Sequence, residues 1–90
     1  MKIVKVGAMW CPACIITNKY WKDLKNKYSS IEFLDYDLDM DEEEVKPLKI
    51  GNKLPEIIIY DDNNVEIKRI IGEKTQEEME KELLAYNEKA

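Results

Sequence analysis

The sequence predicts an α/β fold of minimal order β-α-β-α-β-β-α, a four-stranded mixed sheet flanked by three helices. Three observations carry that expectation. A short β-branched run, Lys2–Val6, leads through Gly7-Ala8-Met9-Trp10 into a stretch with a large apolar residue at every fourth position. That change of period marks a strand turning into a helix. A second strand candidate, Ile31–Leu38, completes a strand–helix–strand unit, which implies a parallel pair with a right-handed crossover. Two apolar runs then flank Asp61-Asp62-Asn63-Asn64, so the last two strands return as an antiparallel hairpin.

The first helix is expected from Pro12 to Tyr28, with Pro12 in the first turn, where its missing N–H removes no bond. Ile16, Tyr20, Leu24 and Tyr28, with Trp21 beside them, form its buried stripe, and Lys19, Lys22, Lys25 and Lys27 its solvated face. Ile31–Leu38 is rich in Phe, Tyr and Leu and is expected to be buried on both faces. The acidic run Asp39–Glu44 starts a short helix of about two to three turns, since carboxylates favour the positive end of the macrodipole. Pro47 and Gly51 limit its length. Ile57-Ile58-Ile59-Tyr60 is the most apolar run and reads as a central strand, with Val65–Ile71 as its hairpin partner and Gly72 ending that partner. Thr75 with Glu78 forms a capping box, and Met79, Leu83 and Tyr86 share one face of the last helix.

Ninety residues make a single domain, 1–90, with one core, so binding and chemistry share one surface. Charged residues are 37% of the chain, and no run approaches the roughly 20 apolar residues that cross a bilayer. No membrane is expected as a partner. The net charge of −5 disfavours nucleic acid, which needs basic side chains to displace counterions. The amino end has no long apolar leader, from which a cytoplasmic address is expected. The charge is uneven: residues 1–30 hold six lysines against one aspartate, and residues 31–90 hold eight basic against eighteen acidic side chains.

Both cysteines lie in the basic third, in Cys11-Pro12-Ala13-Cys14. Two cysteines placed at random in the chain would fall at this spacing about 2% of the time, so the spacing is informative. A structural zinc site needs four ligands, and a chain with two cysteines and no histidine does not supply them alone. A cluster shared between two copies is the remaining metal alternative. The acidic residues from Asp37 to Glu44 lack the spacing of a calcium loop, so no metal is expected there. What the motif offers is a dithiol and disulfide couple at the start of a helix, directly after a strand. Unpaired N–H groups of the first turn and the macrodipole stabilise a thiolate at Cys11, the candidate nucleophile. Cys14, one turn on and more buried, is the candidate resolving thiol, which attacks Cys11 to release reduced substrate. A purely structural disulfide closes too short a loop to add much stability.

With these residues in place, the chain resembles the thioredoxin superfamily over nearly its whole length. Trp10-Cys11-Pro12-Ala13-Cys14 matches the family's Trp-Cys-x-x-Cys, Leu54-Pro55 lies where the family keeps a cis proline facing the active site, and Gly72 matches a further position. The resemblance implies a substrate groove bordered by Trp10, Pro12, Ala13, Leu54, Pro55 and Gly72, where an extended segment pairs with backbone near the disulfide. A trans proline that merely starts an edge strand is the alternative for Pro55. It also implies a protein-disulfide reductase acting as an electron carrier in redox homeostasis, a monomer without bound cofactor, fed by a thioredoxin-reductase-type donor and acting on disulfide-containing proteins. Pro12 after the first cysteine is similar to glutaredoxins. However, Ala13 replaces their aromatic residue, and the Gly-Gly and Cys-Asp-Asp elements that hold glutathione are absent near Gly72. A glutathione-dependent reductase and a binding module with passive cysteines are the alternatives.

One departure from the family touches the mechanism. Six residues before the first cysteine, thioredoxins keep a buried aspartate that assists proton transfer, and this chain has Lys5 there. Where many of them place a partner lysine, this chain has Asp35. Lys5 and Asp35 are therefore a candidate proton-transfer pair with swapped charges, the alternative being that both face solvent. Pro12-Ala13 contains no histidine to stabilise the reduced form, which argues against a strong oxidase.

Overall fold

Strand β1 (Lys2–Gly7) turns Ile3 and Lys5 to one side and Val4 and Val6 to the other, and all four are buried. A strand with that pattern belongs in the middle of a covered sheet. In the computed structural model, which describes residues 1–87, it has neighbours on both sides. Helix α1 (Pro12–Lys27) follows, then strand β2 (Glu32–Asp37), helix α2 (Glu42–Val45) with a 3₁₀ turn at Lys46–Leu48, strands β3 (Glu56–Tyr60) and β4 (Glu66–Ile71), and helix α3 (Gln76–Asn87). The sheet order is β2-β1-β3-β4, with β1 and β2 parallel and the other neighbours antiparallel. The expected fold class and the central place of β3 are both observed.

Two apolar layers form on the two faces of the sheet. On one, Ile3, Ile57 and Ile59 meet Tyr20, Trp21 and Leu24 of α1 and Met79 and Leu83 of α3. On the other, Val4, Val6 and Ile58 meet Val45 of α2, Leu54 and both cysteines. The site thus grows directly out of the second layer. Ile58 is fully buried there, so Ile58→Ala is expected to cost about 2–5 kcal/mol of stability. Urea unfolding followed by tryptophan fluorescence measures that loss, and a change below about 1 kcal/mol would contradict this packing.

Several expectations need correction. β2 is an edge strand with no fully buried residue, not one buried on both faces, because only β1 pairs with it and its outer side is open. Ile16 is 45% exposed; the inner stripe of α1 instead runs through Cys14, Thr17, Tyr20, Trp21 and Leu24. Thr17 fits that apolar stripe because its hydroxyl donates to the Ala13 carbonyl at 2.9 Å. The helix expected from Asp39 starts only at Glu42. Asp37 accepts the N–H groups of Asp39 and Met40, which holds those residues in a turn. Val65 lies outside β4, and the hairpin turn is held by Asp61, whose side chain accepts the N–H groups of Asn63 and Val65. The capping box is present: Glu78 N–H donates to Thr75 Oγ1 and Thr75 N–H to Glu78 Oε1, both at 3.1 Å.

Candidate active site

Cys11 is the residue that caps α1. Its backbone is extended, Pro12 occupies the first turn, and the Cys14 N–H donates to Cys11 Sγ at 3.3 Å. A side chain in that position meets N–H groups with no partner inside the helix and the positive end of the helix dipole. The local sequence explains why the helix begins here: Pro12 lacks only an N–H that had no bond to make. The Cys11 thiol donates to the Leu54 carbonyl at 3.6 Å, across the gap between α1 and the segment leading into β3. Both cysteines are free thiols, with Cys11 6% and Cys14 3% exposed, so the expected difference in burial is small.

Burial and a hydrogen bond with Cys11 push the Cys14 thiol up to about 11. Gly7 at the end of β1 lies against it, and a Cβ there would stand 3.2 Å from Cys14 Sγ. In the sequence Gly7 suggests only a tight turn. A glycine where a strand passes beneath a helix was the available signal for close approach.

The other predicted residues fall around this pair. The Leu54–Pro55 peptide bond is cis, and both residues are buried. Gly72, at φ +90, donates its N–H to the Pro55 carbonyl at 3.0 Å, which brings the end of β4 beside the proline. Trp10 is 64% exposed, with its indole N–H donating to Asp39 Oδ2 at 2.8 Å. The sequence by itself marks Asp39 only as part of the acidic run. Pro12 is exposed and Ala13 half-buried. Trp21 packs edge-on against Phe33 at 5.5 Å, in the core role expected of it.

Lys5 and Asp35 are register partners across β1 and β2, and their side chains meet. Lys5 is buried and Asp35 half-exposed, so the alternative in which both face solvent does not hold for Lys5. Asn18 of α1 accepts from the Lys5 ammonium, a contact that the sequence did not suggest. Among the described residues no three Cys, Asp or Glu side chains converge as a metal-holding group, and no helix is long and apolar enough to cross a membrane.

The family model described as Thioredoxin matches residues 1–85. The chain belongs to the thioredoxin family. As a member it is, in general terms, a thiol–disulfide oxidoreductase, and its Cys11–Cys14 spacing is that of a Cys-x-x-Cys site. Several solved thioredoxins share the fold. Thioredoxin 1 of the thermophilic eubacterium Thermosipho africanus superposes with a TM-score of 0.83 at 20% identity, over 98% of this chain and 96% of that one. A chain from the crystal structure of ferredoxin: thioredoxin reductase in complex with thioredoxin f2 gives 0.78 at 24% identity, over 94% and 76%. Mitochondrial thioredoxin 3 of Saccharomyces cerevisiae gives 0.70 at 22% identity over 79% of this chain, which spans only 65% of that protein. No curated protein sequence matches the chain.

Proposed function

We propose that this thioredoxin-family chain reduces protein disulfides by dithiol exchange, with Cys11 attacking and Cys14 resolving. The observation that carries the reading is the placement of Cys11 as the cap of α1, its sulfur accepting the Cys14 N–H. In the first step the Cys11 thiolate attacks one sulfur of a substrate disulfide. A Cys11–substrate bond forms, the substrate S–S bond breaks, and the departing thiolate takes up a proton. Cys14 then gives its proton to solvent and attacks Cys11 Sγ. The Cys11–Cys14 disulfide forms, the second substrate thiol leaves, and two electrons have passed to the substrate.

The pair is itself the redox group, and no bound cofactor is proposed. The groove residues are Trp10, Pro12, Ala13, Leu54, Pro55 and Gly72, which lie on the chain segments surrounding the cysteines. A monomer is proposed. A thioredoxin-reductase-type donor is proposed to return the electrons, and the reductase complex of a structural neighbour supports a partner of that kind. A reducing compartment such as the cytoplasm suits a chain whose two cysteines are both in the motif.

Equilibration with glutathione buffers, followed by thiol trapping, tests the reading. Thioredoxins have potentials near about −270 mV, and about 30 mV is tenfold in a two-electron couple. At a poise of about −240 mV, the Cys11–Cys14 pair is therefore expected to remain about tenfold more oxidised than reduced. A mostly reduced pair in the same buffer would move the function to a glutathione-fed reductase. A Cys11 that alkylates at neutral pH no faster than a free thiol would point to a binding module.

A further inference from the structure

Lys5 has no task in the exchange just described, yet its ammonium is carried into the protein: the residue is only 7% exposed. Lysine is almost never so buried unless paired. The β1 pleat turns its side chain beneath α1, where Asn18 accepts from the ammonium, Asp35 Oδ1 lies 3.7 Å away, and the Trp21 ring centroid is 5.2 Å away. Asp35 compensates this charge only in part, because Lys25 holds its other oxygen at 2.5 Å. Lys5 and Cys14 line one open cleft of about 490 Å³ between α1 and β2. Burial holds Lys5 below the usual lysine range, Asp35 and Cys14 pull it back up, and Lys5 in turn acts to lower the Cys14 thiol.

We propose that Lys5 is a positioning residue for the second half-reaction: its buried ammonium stabilises the Cys14 thiolate during the attack on Cys11. The inference rests on the dithiol-exchange reading above. Cys14 loses its proton to solvent in the cleft, its electron pair forms the bond to Cys11 Sγ, and the substrate sulfur leaves as a thiolate that takes up a proton. Lys5 itself exchanges nothing; it supplies charge where the developing thiolate is shielded from water. The other charged groups facing the cleft are placed less favourably. On α1, Lys22 is exposed and Lys25 is committed to Asp35. From β2 and the turn after it come Asp35, Asp37 and Asp41, whose negative charge opposes a thiolate, and the Tyr36 phenol.

Stopped-flow reaction of the reduced protein with Ellman's reagent separates the two steps. The chain has two cysteines, so one thionitrobenzoate leaves when Cys11 attacks and a second when Cys14 resolves the mixed disulfide. Lys5→Gln keeps a hydrogen-bond donor for Asn18 and removes the charge. It is expected to move the pH midpoint of the second phase up by about one unit, and so to slow that phase about tenfold relative to the first at neutral pH. Lys5→Arg is expected to restore most of the loss. Asp35→Asn, a change at an exposed position of the edge strand, is expected to move the midpoint the opposite way, and it serves as the test should Lys5→Gln fail to fold. An unmoved midpoint in Lys5→Gln, an arginine variant that behaves like the glutamine one, or a slower second phase in Asp35→Asn would each overturn the role of Lys5. A wild-type protein without any second phase would instead overturn the dithiol-exchange reading itself.

Discussion

Replacing Cys11 by serine is expected to lower the rate of disulfide reduction by about three orders of magnitude or more, because a hydroxyl at this position is too weak a nucleophile toward sulfur. Cys14→Ser has a different expected outcome. Cys11 keeps its cap position and its contact with the helix N–H groups, so the first step proceeds and the protein stops as a covalent adduct with its substrate. Acid quenching followed by intact-mass measurement reads that adduct directly. The two variants together assign the roles. An adduct that accumulates on Cys14→Ser but not on Cys11→Ser identifies Cys11 as the attacking thiol, and the reverse pattern would exchange the two. Rapid multiple turnover of Cys14→Ser in glutathione would mark a monothiol cycle and refute the two-thiol scheme. The Cys14 thiol is pushed up to about 11. Its reduced fold is therefore stabilised by the neutral form, and that contribution is lost as pH rises through the folded value.

Arg69→Met is expected to have the largest effect on stability of any change at a partly exposed residue. Glu56, directly after the cis Pro55, is 2% exposed, and its carboxylate is met by Arg69 Nη1 at 2.5 Å and by the Gly51 N–H at 3.3 Å. Arg69 also donates to the Leu48 carbonyl at 2.9 Å and to Glu66 at 2.7 and 3.0 Å. Removing one partner of a buried pair leaves an uncompensated charge, at a cost of about 3–5 kcal/mol. That is a large share of the roughly 5–15 kcal/mol by which a domain is stable. Denaturant midpoints of the wild type, Arg69→Met and the double variant Glu56→Gln/Arg69→Met measure it. The double variant is expected to recover most of the loss, because its buried group is no longer charged. A single-variant loss below about 1 kcal/mol would contradict the argument. These bonds tie segment 48–51 to the hairpin and hold the chain on either side of Leu54, whose carbonyl faces Cys11.

Local patterns in the sequence were enough for the element order, the hairpin and the starts of the first and last helices. The Thr75–Glu78 box and the Asp61–Asn64 turn act through bonds made within a few residues, so they are readable without the fold. Cys11 and Cys14 were legible for the same reason, since one helical turn sets their relation. Burial was less legible. β2 has the composition of an inner strand but is an edge, because strand order depends on which partners pair, and composition does not specify that. Thr17 takes the core place expected of Ile16, because the rotation of the helix stripe by one residue is decided by what it packs against.

The sequence by itself determined the place of the dithiol, a Cys-x-x-Cys pair at a helix start, since the thiols and that helix are neighbours along the chain. Only the tertiary structure decided what surrounds that dithiol. Leu54 meets Cys11 from the segment before β3, Gly7 meets Cys14 from β1, Gly72 meets Pro55 from the end of β4, Lys5 shares a cleft with Cys14, and Glu56 finds Arg69 on the neighbouring strand. Such contacts join residues far apart in sequence, and their geometry follows from sheet register and helix placement, which are properties of the packed whole.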